Sequence, residues 1–197
     1  MSERPTAFLF DVMGTLVRDP FYVEVPDALG MTMDELLAAK HPDSWRRFEA
    51  GEIDEAELRR TFFRDGRDYP HEAMKRAMVA GYAWLPGMEA LLAELSARGH
   101  ALHLLSNYAP WYRLIEHKLQ LSRHAAWSFV SCDMGVRKPD PRAYRFPAER
   151  LGCPPASLVF IDDQPANCEA AREEGLQAFH FDGAAPLRRA FEARGWV

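Results

Sequence analysis

The chain has 197 residues, 48% of them hydrophobic, which is enough for one domain with a buried core or for a core carrying a small insertion. A formal net charge of −5 and a pI near 5.8 exclude a surface built for nucleic acid or for an anionic membrane, and no run of about twenty apolar residues is present to span one. Cys132, Cys153 and Cys168 are odd in number and lack CxxC spacing, so they read as buried small hydrophobes. With no signal-peptide pattern before Thr6, the expectation is a cytoplasmic protein, monomer or homodimer.

In chain order, Ala7–Phe10 is a short apolar run that ends abruptly in Asp11 and is followed by Gly14 and Thr15. This pattern predicts a buried strand delivering a carboxylate to a turn. From about Val17 to Leu85 strand signals disappear. Thr32 with Glu35 three residues on is a capping-box pattern before a helix at Leu36–Lys40, and Asp54 with Glu57 repeats it before a helix bearing Leu58, Phe62 and Phe63. A third helix is predicted over His71–Ala83. Strands follow at Ala101–Leu105, Trp127–Ser131 (weaker), Leu158–Ile161 and Ala178–Phe181. Helices at Pro86–Arg98, Pro110–Leu119, Pro141–Leu151 and Ala166–Glu174 alternate with them, with proline at the starts and Gly99, Gly152 and Gly175 just past ends. The alternation implies crossovers and hence an α/β, doubly wound, Rossmann-like parallel sheet formed by residues 1–16 and 86–197. Residues 17–85 read as a small helical cap inserted after the first strand, a lid over the edge where such sheets place ligands.

The chemistry-bearing residues fall at predicted strand ends. Asp11 interrupts an apolar strand, and an unpaired buried carboxylate costs several kcal/mol, so its placement demands a reason. Ser106 and Asn107 follow the second long strand, Lys138 leads into a helix, and Asp162–Asp163 ends the strand before Ala166–Glu174. Taken singly, Ser106–Asn107 reads as turn chemistry, Lys138 as a solvated loop lysine, and the acid pair as a helix cap. Gathered at one sheet edge, Asp11, Asp162 and Asp163 would repel one another unless a cation neutralised them, and hard carboxylate oxygens suit Mg²⁺.

The segments FDVMGTL, LSNY, VRKPDPRAY and VFIDDQPAN resemble, in order and spacing, the four motifs of the haloacid dehalogenase superfamily. The resemblance implies a hydrolase with Asp11 as nucleophile, forming an aspartyl-phosphate. It further implies Mg²⁺ held by Asp11, Asp163 and the backbone carbonyl of Met13, with Asp162 acting through metal-bound water. Lys138, the Ser106 hydroxyl and the backbone N–H groups of the first motif, at Gly14 and Thr15, would bind the phosphoryl oxygens, and Asn107 would add a hydrogen bond to phosphate or substrate. The substrate class is a small phosphate monoester.

Met13 departs from the family pattern, which places a second Asp there to protonate the leaving group. A thioether cannot donate a proton, and general acid catalysis contributes about 10²–10⁴-fold. Three readings stand open: a Mg²⁺-dependent phosphatase with a proton donor elsewhere (Asp19, His41 or Tyr108), a metal-independent 2-haloacid dehalogenase whose halide needs no proton, and a catalytically impaired phosphate-binding or interaction protein. A closer resemblance bears on the choice. DVMGTLVRDPFYVEVPDALGMTMDELL, GEIDEAEL and FFRDGRDY are similar to a plant branch of flavin mononucleotide phosphatases, which carries Met at this place. Aromatic residues of the insertion, among them Phe21, Tyr22, Trp45 and Phe48, are suited to stack on an isoalloxazine ring.

Overall fold

The structure, a computed structural model, describes residues 4–197, so the first three positions of the expected core segment lie outside it. Ala7–Phe10 (β1) is buried on both faces, which suits a central strand of a covered parallel sheet. Leu102–Ser106 (β2), Ala126–Val130 (β3), Leu158–Asp162 (β4) and Gln177–His180 (β5) complete a five-stranded sheet among the described residues, in the order β3-β2-β1-β4-β5. All neighbours pair in parallel. The chain turns one way from β1 to β2 and β3, and the other way to β4 and β5. The crevice of the switch point therefore opens at the end of β1. Register pairs Phe10 with both Leu104 and Ile161, which brings the next positions on β1 and β4, Asp11 and Asp162, to one rim with Ser106, two residues beyond Leu104.

The helices between β1 and the next core helix are Glu24–Leu29 (α1), Met33–Ala39 (α2), Ser44–Glu49 (α3), Glu55–Thr61 (α4) and His71–Gly81 (α5). The chain enters and leaves this segment through an antiparallel bridge between Val17 and Trp84, closed by Arg18 N–H to Ala83 O (2.8 Å) and Leu85 N–H to Leu16 O (2.8 Å). Thr32 and Glu35 form the expected reciprocal capping box, whereas Asp54 caps only one way, accepting from the Glu57 N–H at 2.7 Å. Two short helices, α1 and α3, carry no sequence signal strong enough to predict them: each is six residues long. A 3-10 turn at Pro20–Tyr22 precedes them, capped by the Asp19 side chain.

Around the sheet lie Met88–Ala97 (α6), Tyr112–Leu119 (α7), the single turn Ser131–Met134 (α8), Arg142–Leu151 (α9), Pro165–Glu173 (α10) and Ala184–Glu192 (α11). Alternation along β1 sorts them into two layers. Phe8 and Phe10 pack in one cluster with Leu91 and Leu95 of α6, Ile115 of α7 and Phe191 of α11. Ala7 and Leu9 face Tyr144 and Ala148 of α9 and Ala171 of α10. Helix α11, like α1, α3 and the single turn α8, has no counterpart among the elements expected from the sequence. Its Phe191 and the following Trp196 stack on Phe8 at centroid distances of 5.4 and 5.2 Å.

Glu55 pins the inserted helices to the sheet layer. Its carboxylate accepts from His71 Nε2 (2.9 Å) and Lys75 Nζ (2.7 and 2.9 Å) on α5, and from Trp111 Nε1 (2.8 Å) just before α7. Burial pushes this carboxyl up, yet the donors from Lys75, His71 and Trp111 outweigh it and hold the value at about 2, against an ordinary 4.5. A depressed folded-state value stabilises the fold above the unfolded value and is lost as pH falls through the folded one. Glu55→Gln is therefore expected to lower the thermal midpoint at pH 7, and the gap to wild type should close between pH 4.5 and about 2 in melts followed by circular dichroism.

Candidate active site

The ends of β1 and β4 set Asp11 and Asp162 side by side, and Lys138 reaches between them from the loop before α9. Its Nζ donates to Asp11 Oδ1 at 2.7 Å and to Asp162 Oδ2 at 2.6 Å. Lys138 is 1% exposed, Asp162 0% and Asp11 7%, so water screens the three charges little. One carboxylate oxygen from each of Asp11, Asp162 and Asp163 lies within 4.8 Å of the others. Burial pushes Asp11 up to about 7; Lys138 pulls the other way, and the Asp162 and Asp163 charges push further. Asp163 is raised by burial and then by Asp162. Burial opposes the charge on Lys138, but Asp11 and Asp162 outweigh it and hold the ammonium above the ordinary lysine value.

Asn107 fixes the lysine's backbone. Lys138 N–H donates to Asn107 Oδ1 (2.7 Å), and Asn107 Nδ2 donates back to Lys138 O (2.8 Å). The side-chain amide expected to meet phosphate or substrate is thus engaged at both ends as a clamp. Asp162 is engaged as well: besides Lys138 it accepts from Gln164 N–H (2.8 Å) and from Asn167 Nδ2 (3.0 and 3.1 Å). Asp163 keeps its carboxylate more open, with one donor, Gln164 Nε2, at 2.6 Å.

The turn after β1 differs from its sequence reading. Gly14 N–H donates to Val17 O (2.8 Å) and Thr15 N–H to Val12 O (3.4 Å), so neither is free for an anion. Gly14 serves sterically instead: its φ is +79°, and a Cβ there would stand 2.6 Å from Asp163 Oδ2. The Thr15 hydroxyl accepts the Asp163 N–H at 3.1 Å, tying the first loop to the last. Within this turn, no acceptor among the described residues takes the N–H groups of Val12 and Met13. Sequence reasoning missed them because only the turn geometry shows which amides are spent. The Ser106 hydroxyl, 1% exposed, also has no partner among the described residues. A buried hydroxyl left unpaired costs about 1–3 kcal/mol, which an incoming phosphoryl oxygen would relieve.

Met13 borders a cavity of about 250 Å³ between the strand ends and the inserted helices. Asn107 and Tyr108 line it from the sheet side; Asp19, Phe21 and Trp45 line it from the helical side.

A family model described as haloacid dehalogenase-like hydrolase matches residues 5–175. The chain belongs to this family. The hydrolase is similar to flavin mononucleotide hydrolase 1 of Arabidopsis thaliana, whose name places that protein in the chloroplast, a different compartment from the one expected here. Identity is 48% over 181 residues, covering 92% of this chain and 74% of the relative. It is 34% identical over 130 residues to a phosphoserine phosphatase of Thermus thermophilus, covering 64% of this chain and 46% of that one. Among solved structures it resembles a family enzyme of Bacteroides thetaiotaomicron in complex with magnesium and inorganic phosphate, at TM-score 0.69 and 21% identity, covering 89% of this chain and 93% of that one. That likeness speaks for the fold. No helix among the described residues is long and apolar enough to cross a membrane.

Removing Lys138 would leave two buried carboxylates without their cation. Lys138→Met is expected to destabilise the hydrolase by about 3–5 kcal/mol in urea denaturation without added metal. Asp11→Asn in the same background should return part of that loss.

Proposed function

We propose that the hydrolase is a Mg²⁺-dependent phosphatase of small phosphate monoesters, with flavin mononucleotide the substrate to test first, acting through an aspartyl-phosphate on Asp11. The observation that carries this reading is three gathered carboxylates facing one buried ammonium. Lys138 offsets one of three negative charges; burial drives Asp11 up to about 7, and the Asp162 and Asp163 charges add to that push. All the donors are hard oxygens. The residues therefore fit a divalent cation, which Asp11, Asp163 and the Met13 carbonyl would hold, with Asp162 anchoring Lys138 behind them. When bound, Mg²⁺ would neutralise charge on the phosphoryl oxygens.

The chain's own groups then divide the task. Asp11 supplies the oxygen that attacks phosphorus in line. Lys138, the Ser106 hydroxyl and the open N–H groups of Val12 and Met13 supply donors for the equatorial oxygens. Asn107 holds the lysine in place, and Gly14 with Thr15 lets Asp163 approach the first loop. Segment 17–85 acts as the cap. Phe21, Tyr22 and Trp45 border the cavity, and Tyr22 and Leu37 are exposed by 66% and 50% at its border, an apolar surface suited to a planar ring. The relative that shares 48% identity acts, by its name, on flavin mononucleotide.

One panel tests this. The protein is incubated with flavin mononucleotide, 4-nitrophenyl phosphate and 2-chloropropionate, each with Mg²⁺ or EDTA. Phosphate release that EDTA stops and Mg²⁺ restores is expected, reduced about 10³-fold or more in Asp11→Asn. Chloride release insensitive to EDTA would replace this reading with the dehalogenase that Met13 permits. Phosphate binding without turnover of any ester would leave a non-catalytic phosphate binder.

A further inference from the structure

Breaking a P–O bond to an alkyl group leaves charge on an oxygen that leaves poorly, and a positioned acid is worth about 10²–10⁴-fold there. Met13 supplies no such proton. Among the groups bordering the cavity beside it, Tyr108 has its hydroxyl paired with that of Tyr82 at 2.7 Å. Glu49 has both oxygens engaged, Oε1 by Trp45 Nε1 (2.6 Å) and Oε2 by Arg137 (2.8 Å). His41 does not border the cavity, and its Nδ1 accepts from the Asp43 N–H at 3.1 Å. Asp19 differs from all three. Its Oδ1 accepts the Phe21 N–H at 2.9 Å, the one hydrogen bond its carboxylate makes among the described residues. Its position is fixed from both sides. Val17 is bridged to Met13 and to Trp84, and Asp19 follows two residues on, held by the turn it caps.

We propose that Asp19 is the proton donor to the leaving group, acting from the helical side of the cavity that Met13 borders. The proposal rests on the phosphatase reading and deepens it. In the first step an Asp11 oxygen bonds to phosphorus as the bond to the leaving oxygen breaks. That oxygen keeps the electron pair and takes the proton from the Asp19 carboxyl. In the second, water attacks the phosphorus of the aspartyl-phosphate and gives a proton to the Asp19 carboxylate. Phosphate departs and the Asp11 carboxylate is restored. Burial pushes the Asp19 carboxyl above its ordinary 3.8, opposed by the Phe21 N–H and Arg18 and aided by Glu24, which is the direction a proton donor requires. The other ionisable groups on the cavity are Glu49 and Tyr108, already paired, the exposed Tyr22, and Lys40, whose ammonium has no carboxylate within ion-pair distance among the described residues.

The experiment compares Mg²⁺-loaded wild type with Asp19→Asn on an alkyl monoester (flavin mononucleotide or 2-glycerophosphate) and on 4-nitrophenyl phosphate, whose leaving group needs little protonation. Asp19→Asn keeps the oxygen that accepts the Phe21 N–H, and thermal melts check that it folds; Asp19→Ser is the second variant with a capping oxygen. The expected result is a fall in kcat of about 10²-fold or more on the alkyl ester and less than about 10-fold on the aryl ester. Equal losses on both, or no loss on either, would overturn the assignment. So would the same selective loss in Lys40→Met or Tyr22→Phe, the other cavity residues with a proton to give and no hydrogen-bond partner among the described residues. A measurement on wild type alone gives a further check: kcat/KM across monoesters should depend only weakly on leaving-group pKa, and a steep decline would mean that no donor is present. Failure of wild type to release phosphate from any ester sinks the phosphatase reading itself, a result distinct from all of these.

Discussion

Two carboxylates and one ammonium, closed at 2.7 and 2.6 Å and almost wholly buried, set the terms for the rest of this molecule. Removing the lysine strands two buried carboxylates, so the arrangement tolerates little displacement of the loop and strands that carry it. Lys138 cannot balance the site alone, because Asp163 adds a third carboxylate within 4.8 Å. The residual negative charge makes the pocket receptive to a cation, and a site so completed is suited to an anion such as a phosphate. The order β3-β2-β1-β4-β5 matters because it sets the rims of β1 and β4 together, where Asp11 and Asp162 must meet.

Around that centre, polar groups fall into two populations. The first is spent on holding geometry: the Asn107 amide on the Lys138 backbone, the Thr15 hydroxyl on Asp163, the Gly14 and Thr15 N–H groups within their own turn, and Asp162 on three different residues. The second has been left open: the Ser106 hydroxyl, the N–H groups of Val12 and Met13, Asp163 in part, and Asp19 Oδ2. A buried polar group without a partner is costly in a folded protein, so the open Ser106 hydroxyl beside Asp11 suits a ligand's own polar atom.

Much of this architecture is legible in the sequence. The strands are short, bounded apolar runs, and the boundaries of β2 to β5 shift by only one residue at either end. Prolines near helix starts and glycines past helix ends bracket α6, α9 and α10. The inserted helices are less legible. Helices α1 and α3 are too short for a 3.6-residue period to stand out, and α11 contains Pro186 in its first turn. The acids and the lysine could be named because each closes an apolar strand or sits in a family motif. Their supporting partners could not, because those bonds link residues far apart in the chain: 31 positions separate Asn107 from Lys138 and 148 separate Thr15 from Asp163. A linear pattern shows which residue types are present, while the choice between meeting a ligand and meeting a neighbour is made by tertiary packing.

The same long-range wiring joins the inserted helices to the charged centre. The Ser131 hydroxyl accepts from Tyr108 N–H (2.9 Å) and donates to Glu49 O (2.5 Å) at the end of α3. The Glu49 carboxylate, raised by burial and opposed by Arg137, pairs with that arginine at 2.8 Å. Tyr108 follows Asn107 and Arg137 precedes Lys138, so both halves of the clamp that positions the lysine are bonded, one residue away, to α3. Lifting α3 from the sheet would break a part-buried ion pair and leave the Ser131 hydroxyl without its acceptor at the same moment that it loosened the loop carrying Lys138. The position of the inserted helices and the position of the lysine are therefore coupled through Glu49, and a change in one is transmitted to the ammonium that lies between Asp11 and Asp162.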